Sequence, residues 1–491
     1  MRWRPFLIIG LLLATGLISA YALRDRWESK PAATVLPVSS GDREIAWINT
    51  STSGGSWEHF STGIRHACRT MPDVEIDDSR AFLDRSTSVP EIVISWKGRP
   101  GKLAIRWYKH SREIGTKQWI DALAERDPPP LAIIGGGSSD RARDLARQLE
   151  SRSEWKGTRP LLLISTATAN EVYIEGERAD RPLMQVYPER TFRFCFTNEQ
   201  MARAVVDFVW TQPDLKPRGG PADDKGEEPP PTIFRVYWED DPYSIDLSEK
   251  FRQAVGQKTQ DHHIQPFIKN PQYSVGTFDR VNRQEARFAR ETLDEMPMGR
   301  EQRSLLILPT GTTPSRRFLR ALTGESPLIG RHLVAVNGDA ISINDVYRDG
   351  GLLWNIRDLP VPMVFFAHQN PIGWDDDLLS PAGTDEVRLF AKMAQVLVET
   401  CYPPNESFVA NADVLRERIR AQKIVLFDAD GNRKNGEEYV VALRPQITEE
   451  GSINPQAFLE VWRRSKRGEG WKKMGETLLA PYSAKPKVGQ E

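Results

Sequence analysis

The sequence predicts an α/β protein of two lobes, each a doubly wound parallel sheet, and three observations carry that prediction. Short apolar, β-branched runs alternate with helical periods along most of the chain, the pattern of strands whose crossover helices cover both faces of a parallel sheet. There are more such units than one sheet of ordinary width holds. Near the middle, Leu215 to Pro231, rich in Pro, Gly, Asp, Glu and Lys, reads as a solvent-exposed loop insertion that cannot pack, and it separates two comparable halves.

The elements follow in order. Arg2 and Arg4 precede an unbroken apolar run, Phe6 to Leu23, which ends in the charged cluster Arg24, Asp25, Arg26, Glu28 and Lys30. The run is long enough to cross a bilayer as an N-terminal apolar helix. With the small residues Ala20 and Ala22 it fits a cleavable secretory signal equally well. In either case the two arginines favour an N-terminus held inside, which puts the rest of the chain outside the cytoplasm. Residues 1–30 are therefore expected to be a signal peptide or membrane anchor. The expected location is the periplasm or cell envelope, with attachment to the inner membrane through residues 6–23 if they are retained.

A Pro/Ser-containing linker runs from Lys30 to Asp42. Glu44 to Ile48 then reads as a strand, and Trp57, Phe60, Ile64, Cys68 and Met71 recur at helical spacing. Two β-rich runs, Ile92 to Trp96 and Leu103 to Tyr108, flank the turn Lys97-Gly98-Arg99-Pro100-Gly101. A helix (Gln118 to Glu125), a strand (Leu131 to Gly135), a helix (Ser139 to Leu149) and a strand (Leu161 to Ser165) follow. Thr197 and Gln200 form a capping box for a helix whose apolar face is Met201, Val205 and Phe208.

Beyond the insertion the alternation resumes with a strand at Ile233 to Trp238 and a helix around Leu247, Phe251 and Val255. Next come a strand at His263 to Ile268, a helix at Gln284 to Glu295 and a strand at Leu305 to Pro309. Thr313-Pro314 opens the next helix in the N-cap/N1 arrangement. Strands are expected at Leu333 to Val336 and Met363 to Phe366, then a long amphipathic helix carrying Val387, Phe390, Ala394 and Leu397. After a second helix, Ile424 to Phe427 and Tyr439 to Leu443 bracket a turn, and Asn454-Pro455 opens a last helix.

Composition narrows the function. The 491 residues are 39% hydrophobic and 27% charged with a net charge of -1, which describes a globular body without the basic excess of a nucleic-acid binder. Three cysteines, Cys68, Cys195 and Cys401, are too few for a disulfide framework and match no zinc spacing, so buried thiols are expected. His262-His263 lacks a third ligand, and Asp375-Asp376-Asp377 reads as a solvated loop. Asp428, Asp430 and Asn432 imitate the start of a calcium loop, but Arg433 stands where glycine is required. Arg316, Arg317 and Arg320 read as one exposed helix face. No Ser/His or metal arrangement is visible, so neither a catalytic residue nor a cofactor is assigned.

Ligands of doubly wound folds bind where strands end and helices begin, and three junctions stand out. Gly135-Gly136-Gly137-Ser138-Ser139-Asp140 lets a ligand approach the backbone and offers hydroxyl donors. It is not a phosphate loop, because no Gly-Lys-Ser/Thr follows, nor a nucleophile elbow. Ser165-Thr166-Ala167-Thr168-Ala169-Asn170 is small and polar after its strand. Glu239-Asp240-Asp241-Pro242-Tyr243-Ser244 offers an aromatic at the third.

Taken in series, Ile134 to Ser139, Leu163 to Thr168, Phe192-Arg193 with Gln200-Met201-Ala202, and Tyr237 to Tyr243 resemble type I periplasmic solute-binding proteins. Within them the chain is most similar to the branched-chain amino acid (leucine/isoleucine/valine) group of ABC transporters. Val425 to Asn432 followed by Tyr439-Val440-Val441 resembles that family's late crossover hairpin, and the resemblance covers about Arg43 to Arg444.

The resemblance implies a clamp with three interlobe crossings that closes on a small ligand and delivers it to an ABC permease. It implies that Ser138, Ser139, Ala167 and Thr168 hold the carboxylate and amino group of an amino acid. Tyr243 would face the ligand from the second lobe, Asp339 would pair with the ammonium, and Trp57 and Thr313 occupy positions where the family often has aromatics. Here Ser244 replaces the usual Gly, Asp339 the usual Glu, and Thr313 is not aromatic. The expected division is 43–195 and 370–420 for lobe 1, 196–369 and 421–466 for lobe 2 with a disordered insertion at 212–231, and a flexible tail at 467–491. The expected function is binding of an amino acid or related polar metabolite. The alternatives are a membrane-tethered sensor or scaffold of the same fold and, third, an extracytoplasmic hydrolase.

Overall fold

The computed structural model describes residues 33–478 apart from 84–87, 223, 225, 227, 239–240, 262–265, 270–271, 274–277, 300, 326, 342–358, 372–383, 423–425, 435, 446–457 and 466–469. The apolar run Phe6 to Leu23, His262-His263 and Asp375 to Asp377 lie outside the described residues. Among those described, no helix is long and apolar enough to cross a membrane.

The first half builds one sheet from β1 (Arg43–Thr50), β2 (Val74–Asp77), β3 (Glu91–Trp96), β4 (Lys102–His110), β5 (Ala132–Gly135) and β6 (Leu161–Ile164). A two-stranded ribbon, β7 (Glu171–Val172) and β8 (Arg181–Pro182), precedes its last strand, β9 (Thr191–Arg193). The order is β2-β3-β4-β1-β5-β6-β9, parallel from β4 to β9 and antiparallel at the β2-β3-β4 edge. Ile45, Ala46 and Trp47 in the middle are buried whichever face they point to, as expected of a parallel strand covered on both sides. Helices α1 (Gly54–Arg69), α2 (Thr116–Ala124) and α3 (Ser139–Ser151) provide part of that cover.

The second sheet begins after α4 (Asn198–Thr211) with β10 (Thr232–Arg235). A short pair, β11 (Tyr237–Trp238) with β13 (Gln272–Tyr273), flanks it. Then come α5 (Pro242–Asp261), β12 (Phe267–Lys269), α6 (Phe278–Glu295), β14 (Ser304–Ile307), α7 (Thr312–Glu325), β15 (Leu333–Val336) and β16 (Met363–Ala367). The chain next returns to the first sheet with α8 (Thr384–Cys401) and α9 (Ala412–Arg420), whose Leu389, Phe390, Val396 and Leu415 join the core around β1. Gly63 of α1 lets α8 approach closely, since a Cβ there would lie 2.7 Å from Ala391 N. The chain ends in the second sheet with β17 (Tyr439–Arg444), β18 (Phe458–Arg464) and β19 (Trp471–Leu478), giving the order β12-β10-β14-β15-β16-β17-β18-β19. Strands β12 to β16 are parallel and β16 to β19 antiparallel. The molecule is thus α/β with two sheet-centred lobes, the parallel centres as expected and the antiparallel edges an addition.

Four expectations are corrected. The helix expected after Asn454-Pro455 is strand β18 over its described part: Leu459 and Val461 point into the core while Glu460 and Trp462 face the other way, a period of two. The tail expected to be flexible from 467 contains β19, whose Trp471 packs on Phe208 at 5.4 Å and donates to Asp207 at 3.2 Å. The insertion expected to be disordered from 212 packs at its start. Leu215 is buried, Arg218 exchanges backbone hydrogen bonds of 2.9 Å with Arg303, and Gln302 donates to the Gly219 carbonyl at 2.8 Å. Only further on, over the described residues of 221–230, is it exposed. Arg316, expected on an exposed helix face, is buried.

The two sheets are linked at three crossings, around Phe194 to Thr197, after His368, and from Phe427 to Glu438. Arg433, the residue that spoils the calcium-loop pattern, ties them. Its guanidinium donates to the carbonyls of Phe194 (3.2 Å) and His368 (3.5 Å) and lies 4.0 Å from the centre of the Phe196 ring. Its own carbonyl accepts from Gln200 at 3.0 Å. Two residues earlier, Gly431 turns the hairpin with φ +86°, and a Cβ there would lie 2.2 Å from the Thr191 carbonyl oxygen, so the position requires glycine.

Candidate functional site

A cavity of about 490 Å³ opens between the lobes, where strands of both sheets end. That volume is within the range of pockets for small organic ligands. The first lobe contributes Trp47 and Asn49 from the end of β1, Gly137 to Ser139 after β5, and Ser165 and Thr166 after β6. From the second come Tyr243 at the start of α5, Gly311 after β14, Asp339 after β15 and His368 after β16. Asp385, Glu386 and Phe390 of α8 close the wall.

The junction of β5 with α3 is braced from below. Ser138 donates to Asp140, and the Ser139 hydroxyl accepts from the Ala169 N–H at 3.2 Å, so the first two sequence junctions hold each other. Of the residues expected here, Ser138, Ser139, Tyr243 and Asp339 line the cavity. Ala167 and Thr168 are not among its lining residues. Both are buried, and the Thr168 carbonyl accepts from Asn198 N–H (2.8 Å) and from the guanidinium of Arg193 (3.2 Å). They anchor the first crossing, while Ser165 and Thr166, earlier in the same loop, reach the cavity. Trp57 is also displaced: it is a core residue stacked 5.1 Å from Trp47, with its indole N–H on the Ala81 carbonyl at 2.7 Å. Trp47 lines the wall instead. Thr313 is exposed on the first turn of α7, and Gly311 takes the place expected of it.

Tyr243 and Asp339 work as a unit. The tyrosine hydroxyl accepts from the Ala340 N–H at 3.2 Å, and burial beside the Asp339 carboxylate pushes its pKa well above the usual value, so it stays protonated. Asp339 also accepts from His368 Nε2 at 2.8 Å. The other ring nitrogen, Nδ1, accepts from the Phe196 N–H at 3.2 Å. A backbone amide can only donate, so Nδ1 carries no proton and His368 is the neutral Nε2–H tautomer. The Oδ1 of Asp339 is buried without a hydrogen bond of good geometry.

Burial pushes the Asp385 carboxyl up to about 6, and the neighbouring Glu386 carboxylate adds to the push. Glu386 itself pairs with His59 of α1 at 2.5 Å and raises the pKa of that imidazole. Outside the cavity, Asp246 of α5 joins the lobes. Its carboxylate accepts from the N–H groups of Asn170 (2.8 Å) and Glu171 (3.3 Å) and from the Asn198 amide (2.8 Å). Burial raises it to about 6 despite those donors.

His368, Asp385 and Glu386 escaped the sequence reading. His368 directly follows β16, so the rule that ligands bind at strand ends could have found it. Asp385 and Glu386 look like ordinary acidic residues of a helix first turn.

No family model and no curated protein sequence matches the chain. Its fold does match solved structures. One is a leucine-, isoleucine-, valine-, threonine- and alanine-binding protein from Brucella ovis in a closed conformation, with a TM-score of 0.53 and 11% identity over 89% of this chain and 95% of that one. Another is an ABC transporter substrate-binding protein from Sphaerobacter thermophilus, with a TM-score of 0.52 and 14% identity over 84% and 95%. With two sheets, three crossings and a cavity between the lobes, the chain has the type I periplasmic binding fold. At these identities the likeness extends to the fold alone.

Proposed function

We propose that the protein binds a small polar solute carrying an amino group in the interlobe cavity, outside the cytoplasm, and passes it to an ABC permease. The observation that carries this reading is the composition of the cavity wall. Hydroxyls and backbone of one lobe face the half-buried Asp339 carboxyl of the other, its Oδ1 shut off from solvent, across a space that fits a metabolite. Binding is favoured over catalysis because, among the described residues of the wall, the one histidine has both nitrogens engaged and leaves no imidazole base for a serine. The apolar run Phe6 to Leu23 supports a tethered sensor as second reading. Its presence on the mature chain, read by N-terminal sequencing, separates the two.

Truncating one partner of a desolvated, hydrogen-bonded charge pair costs about 2–5 kcal/mol, because the other charge is left unpaired. Asp339→Ala is therefore expected to weaken binding of the ligand that co-purifies, identified by mass spectrometry, by at least roughly tenfold with the fold retained. Calorimetry reads the change, and unaltered affinity would count against the cavity as the binding site.

A further inference from the structure

We propose that the ligand is a net-cationic organic amine, one whose cationic nitrogens outnumber its carboxylates. This inference rests on the reading of the cavity as a binding site and adds the charge class. Among the described residues four carboxylates line the wall, those of Asp241, Asp339, Asp385 and Glu386, and no Lys or Arg does. Glu386 is matched by His59. Asp339 is not neutralised by His368, because the Phe196 N–H occupies Nδ1 and leaves the ring uncharged. Tyr243 keeps its proton and contributes no charge of either sign. Asp385 is faced by the Arg388 cation of its own helix, whereas Asp339 meets no cationic side chain among the described residues. A zwitterion would bring one positive and one negative charge and leave the closed cavity with the same excess of negative charge, at a desolvation cost that one further ammonium removes.

Three features favour an amine with a carbon stem over a bare metal ion. Among the described residues no three carboxylate, imidazole or thiol groups converge closely enough to hold an ion, so the negative charge is spread around the wall. Trp47, Leu389 and Phe390 give the same wall an apolar stretch suited to methylenes. The buried Asp339 Oδ1, which lacks a good donor, is satisfied by the N–H of an ammonium group.

Calorimetric titration of the full chain with L-lysine, pentane-1,5-diamine, L-leucine and L-glutamate tests the proposal. Lysine or the diamine is expected to bind at least roughly tenfold more tightly than leucine, with glutamate weakest. Asp339→Asn and Asp385→Asn, both close to isosteric, are each expected to shrink the lysine-to-leucine ratio. Leucine or glutamate binding as tightly as the cations, or no binding by either cation, overturns the charge assignment and leaves the cavity reading intact. A separate variant, Gly311→Trp, tests the location: the added side chain starts in open space at the cavity wall. It should abolish binding while circular dichroism stays unchanged. Cation binding that survives in a folded Gly311→Trp protein refutes the cavity itself.

Discussion

At the scale of single residues, one buried charge of the first lobe is held by a cluster of partners. Glu44 on β1 is almost wholly buried, accepts from Arg106 (2.6 Å) and Arg126 (2.8 Å) and is contacted by the Tyr108 hydroxyl at 3.1 Å. Breaking such a buried pair by removing one side typically costs about 3–5 kcal/mol. Glu44→Ala should destabilise the first lobe by that order, and an equilibrium urea titration should show it. A loss under about 1 kcal/mol would mean that water reaches the two guanidinium groups. Residues of this kind are hard to read in a sequence, since Glu44 sits in an apolar strand with no mark of its partners, which lie far along the chain. The same holds for the cavity. Ser138, Ser139 and Tyr243 were legible because strand-to-helix junctions advertise themselves through small and polar residues, whereas Asp339 came only from the family resemblance. Trp57 and Trp47 could not be told apart, because helical spacing shows that a ring is buried and not which of two stacked rings faces the ligand.

At the scale of elements, legibility followed the period of the pattern. Most of the parallel strands and their crossover helices were found with ends off by a few residues, since each buries a long periodic face, while the three-residue β9 was too short to show one. The late strands β18 and β19 were not found. Asn454-Pro455 carries a helix-start signal, and a short apolar run after it is ambiguous between the two periods until its neighbours are known. β18 becomes a strand because β17 offers it a hydrogen-bonded edge, and β19 then covers β18. Trp471 also closes over Phe208 together with Trp462. Deleting residues 470–491 should expose those rings and unpair β18, at a cost of at least about 3 kcal/mol. The denaturant midpoint of the truncated chain measures this, and a midpoint equal to that of the full chain would show that β19 contributes nothing to the second lobe.

At the scale of the whole molecule, two buried carboxyls set how stability responds to pH. Asp246, between the lobes, and Asp385, in the cavity, are both raised to about 6 by burial, above the ordinary 3.8. The folded state therefore holds more protons than the unfolded state between about pH 4 and 6, so their contribution is full below that window and is lost as pH rises through it. His59, raised by Glu386, extends the loss above 6.5, while His110, lowered by burial, opposes it. The ligand-free protein should melt at a lower temperature at pH 7 than at pH 4.5. Asp385→Asn should flatten the dependence. A melting temperature that climbs steadily from pH 4.5 to 7 would be inconsistent with either carboxyl being shifted.

The lobes were evident from the sequence and their three crossings from the resemblance, but the part of Arg433 in joining them was not, since it showed only that a calcium loop was absent. Its position has a mechanical consequence. One guanidinium grips a carbonyl on each of two strands while riding on the third, so the three crossings form a single joint. Sliding any strand along its neighbours would strip at least one acceptor from a cation that burial has already drawn down to about 10. Flexing all three together leaves every bond in place. The joint therefore resists shear and permits bending, and the lobes are left with the motion of a door about its frame.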